Sequence, residues 1–153
     1  MRAVPVTVRP VGAEAAEDVL AVVREAFGAR PVLDPPADAS AETLESVRDR
    51  LAAYGGLLAE HDGRPVGALV FEPDGDTTFL RRFGVVPAAQ GRGVARDLVL
   101  AALRTARERG ASQVAVVARE ELPETIRFWE VQGFVLAARD SPYVELRRSL
   151  VGT

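Results

Sequence analysis

The sequence has no cysteine, lysine or asparagine, and one histidine, one tryptophan and one methionine; aromatic residues make up 6%. Without cysteine there are no disulfides, no thiolate metal sites and no covalent cysteine intermediate. Every basic residue is therefore arginine, which we read as a coding bias of the genome, with no functional meaning. No stretch approaches the roughly 18 to 20 apolar residues of a membrane span, and Met1-Arg2-Ala3-Val4-Pro5 lacks the long apolar region of a signal peptide. A cytoplasmic location is the expectation, with no membrane partner. Net charge is -3 with a pI near 5.3, which argues against a nucleic-acid partner. What is present suits an ordinary folded enzyme or binding module: 153 residues, 48% of them apolar and 27% charged, enough for one domain with a real core.

The most informative stretch is 77–110. An apolar run at 77–86 reads as a strand ended by Pro87, and a periodic segment running to Arg109 reads as a helix stopped by Gly110. Between them lies Gln90-Gly91-Arg92-Gly93-Val94-Ala95. A helix start leaves about four N–H groups without intrahelical partners and carries roughly half a positive charge, so it attracts anions. Glycines there let a phosphate approach the bare amides. A Rossmann G-x-G-x-x-G would need glycine where Arg96 stands, and a Walker loop needs a lysine.

Around this stretch the chain alternates strand and helix signals. Residues 4–8 read as a strand broken by Arg9-Pro10. Residues 13–27 read as a helix with Ala16, Val19, Leu20, Val23 and Phe27 inward. Three prolines make 30–39 a loop, after which Ser40 is the expected cap of a helix burying Leu44, Val47 and Leu51. Asp62-Gly63 marks a hairpin between 56–60 and 65–71, with a second turn at 72–76. Residues 113–118 should lie parallel to 77–86, since a helix packs between them. A helix at 124–132 and a last strand at 143–148 complete the order. His61 is expected to be a solvated turn residue.

Gln90, Gly93 and Ala95 fill, in order, the Gln/Arg-x-x-Gly-x-Gly/Ala loop of the GNAT superfamily of N-acetyltransferases, and Phe128-Trp129-Glu130-Val131-Gln132-Gly133-Phe134 resembles a second signature of that family. The order of elements is similar over nearly the whole chain. The resemblance implies an α/β fold: a mixed, largely antiparallel sheet of about seven strands, about four helices, and a splayed central parallel pair. It further implies that the loop of Gln90, Gly91, Arg92, Gly93, Val94, Ala95 and Arg96 holds the diphosphate of acetyl-CoA, with pantetheine bonded to backbone near Phe83 and Val85. An N–H near Val85 would meet the thioester carbonyl, without a metal. For Arg92 and Arg96 a solvated helix face is the competing reading.

The chain departs from the family where proton transfer is concerned. Arg81 stands where members often carry a carboxylate base, and Trp129 where many carry a tyrosine acid; indole cannot supply that proton. Glu72, Glu120 and Tyr143 are the substitutes the sequence offers. Arg81 or Arg82 should face the acceptor by strand alternation, unless both pair with carboxylates such as Glu72. Trp129 is either core or a wall of the acceptor pocket. A thiolate leaving group of pKa near 8.5 tolerates a missing acid. A missing base favours acceptors of low pKa, since holding an amine of pKa ~10.4 neutral at pH 7 costs about 4 to 5 kcal/mol and an α-amine about 1. The expected reaction is direct acetyl transfer to an amine of a small molecule or peptide N-terminus. The alternatives are a catalytically weak CoA-binding module of the same fold and, more distantly, an unrelated nucleotide-binding domain. Members associate in several ways, so a homodimer stays open.

Overall fold

A computed structural model describes residues 5–29 and 42–151. The seven strands are β1 (Val6–Val11), β2 (Gly56–His61), β3 (Arg64–Asp74), β4 (Thr77–Val85), β5 (Gln113–Arg119), β6 (Val135–Asp140) and β7 (Tyr143–Ser149). Among the described residues there are four α-helices: α1 (Ala16–Gly28), α2 (Leu44–Tyr54), α3 (Val94–Glu108) and α4 (Pro123–Val131). The strands form one mixed sheet in the order β1-β2-β3-β4-β5-β7-β6, in which β4 and β5 are parallel. That is the architecture the resemblance implies.

Contacts divide the chain into two compact units: Met1–Phe71 with Arg82–Ala101, and Glu72–Arg81 with Ala102–Thr153. The first unit holds β1, β2, most of β3, α1, α2, the end of β4 and the first half of α3. Leu57, Leu58 and Leu69 are at most 2% exposed, as a strand run apolar at consecutive positions requires. Val19, Val22, Val23, Val47 and Leu51 from the two helices are equally buried. The hairpin turns at Asp62 (φ 53) and Gly63 (φ 73), both left-handed as a two-residue connection demands; half-buried His61 is the last strand residue before it. Gly84 of β4 has no room for a side chain: a Cβ there would lie 2.9 Å from that of Ala26 in α1.

In the second unit β5 pairs with β4 at Thr77↔Gln113, Thr78↔Val114 and Phe79↔Ala115, and the ladder ends there. β7 lies antiparallel to β5 along its whole length and β6 flanks β7. Val114, Val116, Phe134 and Leu146 form the core of this unit. Every residue of the edge strand β6 is exposed.

Three local expectations are corrected. Arg9-Pro10 does not break β1: Pro10 pairs with Leu57, and an outer strand tolerates a residue without N–H. The second hairpin is tighter than 72–76, because β3 runs to Asp74 and only Gly75 and Asp76 turn. The cap of α2 is Thr43, whose hydroxyl accepts from the Ser46 N–H while the Ser46 hydroxyl accepts from the Thr43 N–H. Ser40 and the proline-rich segment lie outside the described residues.

Candidate active site

In the first unit, β4 ends where the Val86 N–H donates to the Val66 carbonyl at 2.9 Å. Pro87–Ala89 make one tight turn, closed by the Gln90 N–H on the Pro87 carbonyl, and Gln90 Nε2 donates to the Val85 carbonyl at 3.3 Å. Gln90 thus ties the loop to the end of the strand. Gly91 and Gly93 follow at φ 79 and 80, conformations that side chains rarely adopt. A Cβ on either would meet nothing within 4 Å, so the space beside the loop is open.

The first bond of α3 is from the Asp97 N–H to the Gly93 carbonyl, 3.0 Å, so the amides of Val94, Ala95 and Arg96 precede it. Val94 is 2% exposed and anchors the turn to the core, whereas Arg92 and Arg96 are exposed. Neither arginine has an ion-pair partner among the described residues. The dipole alone contributes about 0.3 to 2 kcal/mol to an anion, so charge from these two side chains would matter.

Upstream in the same unit, Arg82 has a left-handed φ of 54 in the middle of β4. Arg81, Arg82 and Phe83 are all half-buried, between fully buried residues on either side. Arg82 Nε donates to Glu42, whose side chain is only 3% exposed. Glu42 also accepts from the Ser46 hydroxyl, and Arg50 Nε lies at 3.6 Å. Burial pushes the Glu42 carboxyl upward, but the Ser46 and Arg82 hydrogen bonds and the two guanidinium charges outweigh it and leave its pKa below the usual value. Neither Glu42 nor the backbone kink was expected from sequence. The pair spans 40 residues, and an arginine at positive φ carries no local signature.

The second unit holds the candidates for proton transfer and acceptor binding. Arg81 Nε donates to Glu72 at 2.7 Å, and its guanidinium stands 4.6 Å from the centre of the Phe79 ring. Arg147, paired with Glu145 at 2.7 Å, approaches the same ring at 5.9 Å. Both Arg81 and Arg82 therefore meet carboxylates. Trp129 is core, 4% exposed, and edge-on to Phe128 and Phe134 with centroids 5.1 and 5.0 Å away. Half-buried Tyr143 pairs with Arg119 across the sheet, and the Arg119 guanidinium sits 5.3 Å from its ring centre. Glu120 accepts from the Ser141 hydroxyl and lies 3.8 Å from Arg139. Among the described residues no group of three acidic or histidine side chains is placed to hold a metal, and no helix is long and apolar enough to cross a membrane.

Comparison with known proteins agrees with this arrangement. The family model described as the acetyltransferase (GNAT) family matches residues 17–134. A mycothiol acetyltransferase of Thermomonospora curvata is 35% identical over 123 residues, 74% of this chain; the chain spans 40% of the length of that relative. Among solved structures, the PaiA N-acetyltransferase of Thermoplasma acidophilum in complex with coenzyme A superposes with a TM-score of 0.82 at 14% identity, covering 95% of this chain and 99% of its own. The ribosomal-protein-S18-alanine N-acetyltransferase of Escherichia coli gives 0.79 at 14% identity, covering 97% and 96%. At such identities these two likenesses concern the fold.

Proposed function

Because the chain belongs to the acetyltransferase (GNAT) family, and is by that membership an acyltransferase, we propose that it moves acetyl from acetyl-CoA directly to an amine of low pKa. That amine is one of a small molecule or a peptide N-terminus. The observation that carries this reading is the open loop. Gly91 and Gly93 are left-handed with empty space beside them, three amides precede the first bond of α3, and two arginines have no ion pair among the described residues. A diphosphate matches that donor set. In this reading Gln90, Gly91, Arg92, Gly93, Val94, Ala95 and Arg96 hold the cofactor, and backbone of Phe83 and Val85 aligns its arm.

The amine nitrogen forms a C–N bond to the thioester carbonyl carbon, the C–S bond breaks, and coenzyme A leaves as thiolate. The Val85 N–H supports the carbonyl oxygen as negative charge develops on it. The proton lost by the amine goes to Glu72 or, through the Tyr143 hydroxyl, to solvent. Glu72 is held in place by the hydrogen bond it accepts from Arg81 Nε. We assign Arg81 to the acceptor side, where the edge of its guanidinium not used by Glu72 suits a carboxylate on the acceptor. Trp129, being core, contributes by holding α4 against Phe134.

A second reading is favoured by one observation. The side chain at the position of the usual base is a guanidinium already tied to a carboxylate, which suits a CoA-binding module with little turnover. Two measurements decide. Acetyl-CoA, and not ATP, should raise the melting temperature. Free thiol should then appear from acetyl-CoA on adding α-amines, more slowly with lysine-like amines. Binding without thiol release across a panel of amines would select the module, and no binding would refute both readings.

A further inference from the structure

A residue with a Cβ is costly at positive φ and persists there only where its surroundings hold it. Arg82 is held by one carboxylate. Glu42 is fixed in turn from three sides: by the Ser46 hydroxyl, by Arg50, and by Arg24 of α1, whose Nη2 donates to the Glu42 carbonyl at 3.4 Å. Such a knot at the start of α2, with its side chain almost wholly out of solvent, is more than a surface pair needs. Its place suggests why it is there. In extended chain successive N–H groups point to opposite sides, and one left-handed residue shifts the phase of those that follow. The Val86 N–H donates to the Val66 carbonyl of β3, so residues 83–85 run between that fixed point and the left-handed turn at Arg82, and the turn sets the phase of their amides.

We propose that Glu42 is a positioning residue for acyl transfer: its ion pair with Arg82 holds the left-handed turn in β4 that aims the backbone amides of residues 83–85. The assignment rests on the acetyl-transfer reading above, in which those amides meet the cofactor arm and the reacting carbonyl. It predicts a division of labour. Glu42 acts on the amides of β4 and leaves the diphosphate loop at 90–96 as it is.

The test uses the full chain and the variants Glu42→Gln, Arg82→Gly, Arg82→Ala and the double variant Glu42→Gln/Arg82→Gly. Glu42→Gln should lower kcat about tenfold or more, since a misaimed oxyanion donor loses much of its effect, while KM for acetyl-CoA, set mainly by the diphosphate loop, rises by a clearly smaller factor. Hydrogen exchange at residues 83–85 should quicken in the same variant, a readout that needs no turnover. Glycine takes the left-handed conformation unaided, so the double variant should recover most of both losses. A purely structural role for Glu42 predicts no such rescue. Unchanged kcat in Glu42→Gln, or kcat and KM worsening together without rescue by glycine, would overturn the assignment. Should Glu42→Gln not fold, the single variants decide: Arg82→Gly must keep slow exchange at 83–85 while Arg82→Ala loses it, and equal behaviour refutes the proposal. A wild-type chain that turns over no amine sinks the acetyl-transfer reading itself. An active wild type with a kinetically silent Glu42→Gln sinks only the role given to Glu42.

Discussion

Adjacent arginines in β4 meet carboxylates in opposite ways, and they fall in different units of the chain. In the second unit Arg81 and Glu72 are 30% and 38% exposed, an ion pair that water can replace. In the first, Glu42 is 3% exposed and Arg82 17%, so the loss of either leaves a charge with little access to solvent. The first unit also keeps Arg92 and Arg96 unpaired among the described residues, beside an open glycine loop, whereas Arg81, Arg119 and Arg147 of the second unit each have a carboxylate within 2.7 Å. Where cations are left unneutralised, we place an anion from outside. Where they are matched, their first partner lies within the fold.

Truncating each carboxylate tests this contrast most severely. Glu42→Ala should destabilise the chain by about 3 to 5 kcal/mol, the effect of breaking a buried pair. Glu72→Ala should cost at most about 1 kcal/mol. Urea unfolding of both variants measures the difference, and equal losses would erase the distinction. Next in size is Gly93→Asp. Aspartate tolerates positive φ better than most residues and suits a helix start, so the strain at φ 80 should cost only about 1 kcal/mol, a fall of a few degrees in melting temperature. Its carboxylate would stand where we place the diphosphate, so calorimetry should show acetyl-CoA affinity lowered about a hundredfold, roughly 2.7 kcal/mol.

Gly84→Ala should cost about 1 to 3 kcal/mol, because the new methyl meets the Ala26 Cβ, which has no rotamer to turn away. Ala26→Gly in the same chain should return most of it. Thermal unfolding of the two single variants and the double checks this; additive losses would mean that contact is not the cause. The smallest effect concerns pH. The folded Glu42 carboxyl titrates below its unfolded value of about 4.3, so its contribution is complete above that pH and is lost as pH falls through the lower folded value. Between pH 5 and 3 wild type should lose more stability than Glu42→Gln, as denaturant midpoints across that range will show.

Much of this was legible in the sequence because it rests on short-range rules. Asp62-Gly63 named its own turn, the apolar spacing of Val19, Leu20 and Val23 placed α1, and Gly91 and Gly93 stand where the backbone needs positive φ. Pro10 misled because a proline's effect depends on whether its strand lies at an edge, which only the assembled sheet decides. The kink at Arg82 and the part played by Glu42 were invisible for a related reason. Strand alternation assumes uniform φ, and a kink imposed by a carboxylate 40 residues away leaves no periodicity to read. The loop motif marked the anion site we propose, and Glu72 was among the partners the sequence offered Arg81; that this pair forms is decided by the hairpin between β3 and β4.

Gly84 has a consequence for how this chain can vary. Every single-nucleotide missense change of a glycine codon adds at least one carbon, and here the first added carbon already collides with α1. Drift at this position therefore requires an earlier change at Ala26, so the two sites are expected to vary in a fixed order among descendants, the helix giving way before the strand.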